Sequence, residues 1–149
     1  MAGAYAIKGI VAVAGDSMLT LEGSTTERAK LLYLAICSET APLDTQVHME
    51  VGHADGTVAP IGTAVTPAPL DPADIAAKMT SEQTMTTEPT VYGIPLLNVG
   101  IYQRSHYQFY PREGSEFVTA ATANAVLGSR IITFSAGTPT MSTVMHFQE

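Results

Sequence analysis

Short stretches rich in β-branched and aromatic residues recur along this chain, separated by Gly, Pro, Asp and Thr. Branched and aromatic side chains pack well on a pleated surface, so this pattern predicts short strands joined by turns. Apolar residues at helical spacing are nearly absent. Strands are expected over residues 5–13, 17–22, 28–39, 45–53, 57–65, 91–103, 107–110, 130–134 and 141–147, with a further one starting at Phe117. In the strongest segment, 28–39, Leu32, Leu34 and Ile36 alternate with Leu31, Tyr33, Ala35 and Cys37. Both faces are therefore apolar, as in a central strand covered on two sides. One face is expected in the core and the other against a neighbouring subunit.

The connections carry their own signals. Asp55-Gly56 supplies the positive φ angles of a tight turn and predicts a hairpin between 45–53 and 57–65. The prolines at 67, 69 and 72 exclude a central strand there. Asp71 as N-cap, Pro72 in the first helical position and Asp74 beyond it predict one short helix around residues 72–80. The polar, Thr-rich stretch 80–90 reads as an extended crossing, and the Ala/Thr/Asn run 120–125 has no clear assignment. Many short strands at this spacing, with one helix, predict an all-β fold: an antiparallel β-sandwich, jelly-roll-like. A chain of 149 residues is most economically one domain, 1–149. Its apolar start, residues 1–13, is a candidate extended arm.

Composition narrows the function classes. Charged side chains make up 14% of the chain and hydrophobic ones 46%, against about 25% charged in an ordinary soluble domain. Sparse charge points to assembly. The net charge of −7 and seven scattered Lys and Arg leave no basic stripe for consecutive phosphates, so direct nucleic-acid binding is not expected. The single cysteine, Cys37, cannot form an intramolecular disulfide or a multi-thiolate zinc site. No stretch approaches the ~20 apolar residues that span a bilayer, and no membrane partner is expected. The start lacks a secretory pattern, so synthesis in the cytoplasm is expected.

No catalytic motif stands out, and no enzymatic activity or cofactor is expected. His48 and Glu50 share a strand face, with His53 and Asp55 close by, but a ligand set needs convergent geometry that spacing alone does not supply. A solvated hairpin edge is the simpler reading, and no metal site is assigned. The Pro-Cys-x-x-Cys of zinc deaminases is missing. There is no Gly-x-Ser-x-Gly elbow, and pairing Cys37 with His48, His53, His106 or His146 is arbitrary without a fold. Nothing selects Glu39, Asp44 and Glu50 as a glycosidase pair over ordinary surface acids.

Aromatic residues give the most unusual local patch: Tyr102, His106, Tyr107, Phe109 and Tyr110. Tyr107 and Phe109 fall on one strand face, with His106, Gln108 and Tyr110 on the other. An outward row of aromatics offers large contact area with a polar tip, as protein interfaces do. The interface candidates are therefore Tyr102 and Tyr110, Leu31 and Tyr33 from the central strand, and Tyr5, Ile7 and Ile10 from the apolar start.

Several landmarks carry a family resemblance: Leu70-Asp-Pro-Ala-Asp74, Thr86-Thr-Glu-Pro-Thr90, Gln108-Phe-Tyr-Pro111 followed by Glu116-Phe-Val118, and Met145-His-Phe-Gln-Glu149. Lys30-Leu-Leu-Tyr-Leu-Ala-Ile36 and Val47-His-Met-Glu-Val51 add to it. In this order they resemble the capsid decoration, or cement, proteins of tailed bacteriophages. Where many relatives have a Gly-rich stretch before the Gln-Phe-Tyr-Pro strand, this chain has Gln103-Arg-Ser-His106. The resemblance implies a structural subunit on the capsid exterior that trimerises and clamps adjacent major capsid proteins. Its implied partners are the major capsid protein and further copies of itself. Alternatives are a head-fibre base or minor tail protein, and a carbohydrate-binding β-sandwich module using the outward tyrosines.

Overall fold

The structure is a computed structural model that describes residues 3–11, 16–54, 59, 61–89 and 93–149. In chain order its strands are β1 (Ala4–Val11), β2 (Ser17–Glu22), β3 (Lys30–Ser38), β4 (Gln46–Ala54), β5 (Ile61–Ala64), β6 (Ala68–Pro69), β7 (Ser81–Thr87), β8 (Leu97–Tyr102), β9 (His106–Phe109), β10 (Val126–Phe134) and β11 (Met141–Gln148). They form two antiparallel sheets, a five-stranded sheet A in the order β6-β1-β11-β3-β9 and a six-stranded sheet B in the order β5-β7-β2-β10-β4-β8. The fold is an all-β antiparallel sandwich.

Alternation along each strand builds the layer between the sheets. In β1, Tyr5, Ile7 and Val11 are buried while Lys8 and Ile10 point away. In β11, Met141, Met145 and Phe147 are buried, with Val144 and His146 on the opposite face. Sheet B contributes Leu19, Leu21, Val47, Met49, Leu127 and Ile131 to the same core. Tyr5 and Phe147 stack at 5.4 Å within it. Each such side chain stabilises the fold by roughly 1.5–3 kcal/mol through the apolar area it removes from water.

In β3 the outcome differs from simple alternation. Tyr33 pairs with His146, but Leu31 pairs with Phe147, so Leu32 is the extra residue of a bulge. The bulge turns Leu31 inward beside Leu34 and Ile36, all at most 1% exposed, while Tyr33, Ala35 and Cys37 stay on the outer face.

Five expectations need correction. No helix forms over 72–80. The Asp71 side chain accepts from Ala73 N–H at 2.9 Å, and Asp74 N–H bonds the Asp71 carbonyl, so the cap closes a single turn. The N–H groups of Lys78 and Met79, which a helix would bond internally, donate instead to the Glu149 carboxylate at 2.7 and 3.0 Å. Residues 4–11 are not an arm, because β1 lies between β6 and β11 within sheet A. The hairpin expected around Asp55-Gly56, which itself lies outside the described residues, does not join neighbours: β4 sits between β10 and β8, and β5 pairs with β7. The stretch 80–90 supplies strand β7 of sheet B, beyond a mere crossing. Phe117 opens no long strand, since Val118 makes an isolated bridge to Lys30.

Candidate interaction surface

The strands of sheet A place their outward side chains in cross-strand rows. One row runs Ala6, His146 and Tyr33 across β1, β11 and β3, and ends on Tyr110 just past β9. Tyr33 lies 4.8 Å from Tyr110 and 4.9 Å from His146 between ring centroids, tilted at 40° and 50°. Such spacing is the ordinary cross-strand distance, and tilted rings suit the aromatic quadrupole. Burial against these neighbours, and then Tyr110 itself, pushes the Tyr33 phenol above its usual value of 10.0. A second row holds Lys8, Val144, Ala35 and Gln108, and a third Ile10, Ser142, Cys37 and His106. Cys37 Sγ and Ser142 Oγ share a hydrogen bond at 3.2 Å.

Charge is sparse on this surface, where Lys8 of β1 reaches over β11 to pair with Glu39 just past β3. The centre offers rings, small aliphatic groups and hydroxyls. It can bury against another apolar surface with little desolvation cost, since few charges must leave water.

The interface candidates divide three ways. Tyr33, Tyr110 and Ile10 lie on the outer face of sheet A, and the first two are in contact. Tyr102, 57% exposed, ends β8 on the edge of sheet B, outside that row. Tyr5, Ile7 and Leu31 are at most 3% exposed and belong to the core, so no partner reaches them in this fold. His146 completes the ring row but was not among the candidates. Its signal in the sequence was its place between the inward Met145 and Phe147 on the last strand.

His48 and Glu50 are answered by partners within the chain, whereas the buried His53 Nδ1 makes no hydrogen bond among the described residues. His48 Nε2 and Asn98 Oδ1 share a hydrogen bond, and Glu50, 7% exposed, is ion-paired with Arg130. His53 points inward, and burial, then the Arg28 charge, lowers its pKa below 6.5. Among the described residues no group of three or more His, Cys, Asp or Glu is placed to hold a metal ion. Gln103, from the stretch that departs from the resemblance, is 1% exposed. Its Nε2 donates to Thr45 Oγ1 and the Ala136 carbonyl, and its Oε1 accepts from Leu43 N–H. It ties three loops together.

A small cavity of about 150 Å³ is lined by Gly3, Tyr5, Glu27, Ile75, Lys78 and Glu149. Its polar groups bond one another: Lys78 with Glu27, Tyr5 O–H with the Ile75 carbonyl, and Glu149 with the backbone at 78 and 79. Among the described residues no helix is long and apolar enough to cross a membrane. Compared with family models, curated proteins and solved structures, the chain matches none.

Proposed function

We propose that this chain is a structural, non-enzymatic virion subunit: a capsid decoration protein that trimerises and binds the major capsid protein on the outside of a phage head. The observation that carries the reading is the outer face of sheet A. Its ring row of His146, Tyr33 and Tyr110, flanked by Ala6, Ala35, Val144 and Ile10, is too poor in charge for a face that only meets water. A shell under internal pressure gains from an external clamp, because each clamp adds buried area across subunit boundaries. The sandwich supplies a rigid platform for that contact.

The test is mass measurement in solution, followed by co-sedimentation with procapsids and with expanded heads. Retention on expanded heads that is lost on substituting Tyr33→Ser together with Tyr110→Ser supports the reading. A stable monomer that ignores both particles sinks it. A second reading uses the same rings, which offer faces on which a sugar could stack. Binding on a glycan array that the same double substitution removes would favour that reading instead.

A further inference from the structure

The four sheet edges are not alike. β6 is two residues long and contains Pro69, β5 has four residues with a register shift against β7, and β9 has four residues shortly before Pro111. Shortness, proline and irregularity are the usual guards against pairing with another chain. β8 is longer and regular, with its nearest proline, Pro95, two residues ahead of its start. Its six residues Leu97-Asn98-Val99-Gly100-Ile101-Tyr102 pair with β4 in unbroken register.

The pairing pattern shows which backbone groups are open. Gln103 N–H donates to the Thr45 carbonyl at 2.9 Å. In an antiparallel pair, bonded and non-bonded positions alternate, so Ile101, Val99 and Leu97 also turn their N–H and C=O groups toward β4. Asn98, Gly100 and Tyr102 then turn theirs outward, and all three residues are exposed, with the Tyr102 carbonyl accepting from Ser105 N–H at 2.9 Å in the following turn. A Cβ built on Gly100 meets nothing within 4 Å. The neighbouring Ile94 and Leu96 are 91% and 41% exposed, so the open ladder has an apolar flank.

We infer that β8 pairs antiparallel with β8 of a second copy of this chain, about a two-fold axis at Gly100, to make one continuous sheet across the contact. Two arguments select a second copy. The chain carries a net charge of −7, yet residues 93–103 contain no Asp, Glu, Lys, Arg or His. Identical acidic molecules can therefore meet at this edge without opposing like charges. The strand is also self-complementary about its centre. Gly100 faces Gly100 with both outward N–H and C=O groups aligned, and Asn98 faces Tyr102 so that the Tyr102 N–H meets the Asn98 carbonyl.

This contact stands apart from the three-fold assembly proposed above. Alone it gives a dimer, and combined with that assembly it gives a hexamer. Sedimentation equilibrium of the full chain over a range of concentrations tests it, with Gly100→Asp as the principal variant, since the open space at Gly100 lets the variant fold. Tyr102→Lys serves as a second edge variant, and Leu70→Lys as an exposed control beside the opposite sheet. The expected result is a dimer or hexamer that Gly100→Asp weakens about a hundredfold or more, because like charges then face each other across the axis, and that Tyr102→Lys also weakens, because its charge is set against the uncharged Asn98 of the second copy. The control leaves the mass unchanged. Amide exchange at Asn98, Gly100 and Tyr102 slows with concentration in the unmodified chain. A monomer or trimer throughout, or an even assembly indifferent to both edge variants, overturns the inference, and the trimer does so while leaving the proposed function standing.

Discussion

The outer faces of the two sheets are built from the same alternation and carry opposite chemistry. On sheet A the outward positions hold His146, Tyr33, Tyr110, Val144, Ala35 and Ala6, with Lys8 and Glu39 paired across β11. On sheet B they include Glu22, Glu50, Glu82 and Arg130, of which Glu50 and Arg130 form a mostly buried ion pair. Low charge in the whole chain is therefore an uneven property. Sheet B pairs Glu50 with Arg130 on a largely buried part of its face, whereas sheet A leaves rings and small groups outward.

The largest effect that probes this contrast is Arg130→Met. It leaves the Glu50 carboxylate, 7% exposed, without its ion-pair partner, and a buried charge stripped of its partner costs about 3–5 kcal/mol. Lys8→Met on sheet A removes only an exposed pair and should cost less than about 1 kcal/mol. Urea unfolding of both variants measures the difference, and equal losses would erase the contrast.

Next in size is the paired substitution Tyr33→Ser with Tyr110→Ser. Both rings sit at the surface, so folding stability should fall by about 1 kcal/mol, while retention on expanded heads falls by about 2 kcal/mol or more if the row is a central contact. Losses of equal size in both measurements would make the rings a matter of packing.

Smaller effects come from titration. Burial, then the Glu22 charge, holds the Glu82 carboxyl above 4.5. Its ionised form is thus disfavoured in the fold, and stability falls as pH rises from about 4.5 through the folded value. Glu82→Gln should raise Tm at pH 7, with the gain disappearing below about pH 4.5, as thermal melts across pH would record. His53 runs the other way. Its folded pKa lies below 6.5, so the unfolded chain takes up the proton first, and stability falls as pH drops from about 6.5 toward the folded value. His53→Gln should flatten that slope.

The sequence was most legible where local pattern and tertiary role agree. The strands at 17–22 and 141–147, and the two apolar faces of 28–39, follow directly from branched residues and alternation. Tyr33 and Tyr110 were legible as outward candidates, but not as neighbours, because contact between β3 and β9 is a matter of topology. Leu31 was misplaced for a comparable reason. The bulge that turns it inward is set by pairing with Phe147, more than a hundred positions away. The helix around 72–80 failed because its cap signals are local, whereas the competing acceptor, Glu149, comes from the other end of the chain. Tyr5 and Ile7 were drawn to the surface by an arm reading that the sheet partners of β1 remove.

The place of β11 has a consequence for biosynthesis. It is the last strand in chain order, yet in sheet A it lies between β1 and β3, the earliest strands of that sheet. On the ribosome, β1 and β3 therefore emerge long before the strand that joins them. Such non-local pairing folds slowly and leaves strand edges exposed meanwhile. Sheet A, with the ring surface it presents, forms only when residues 141–148 are free to insert, so assembly through that surface waits until β11 has left the ribosome.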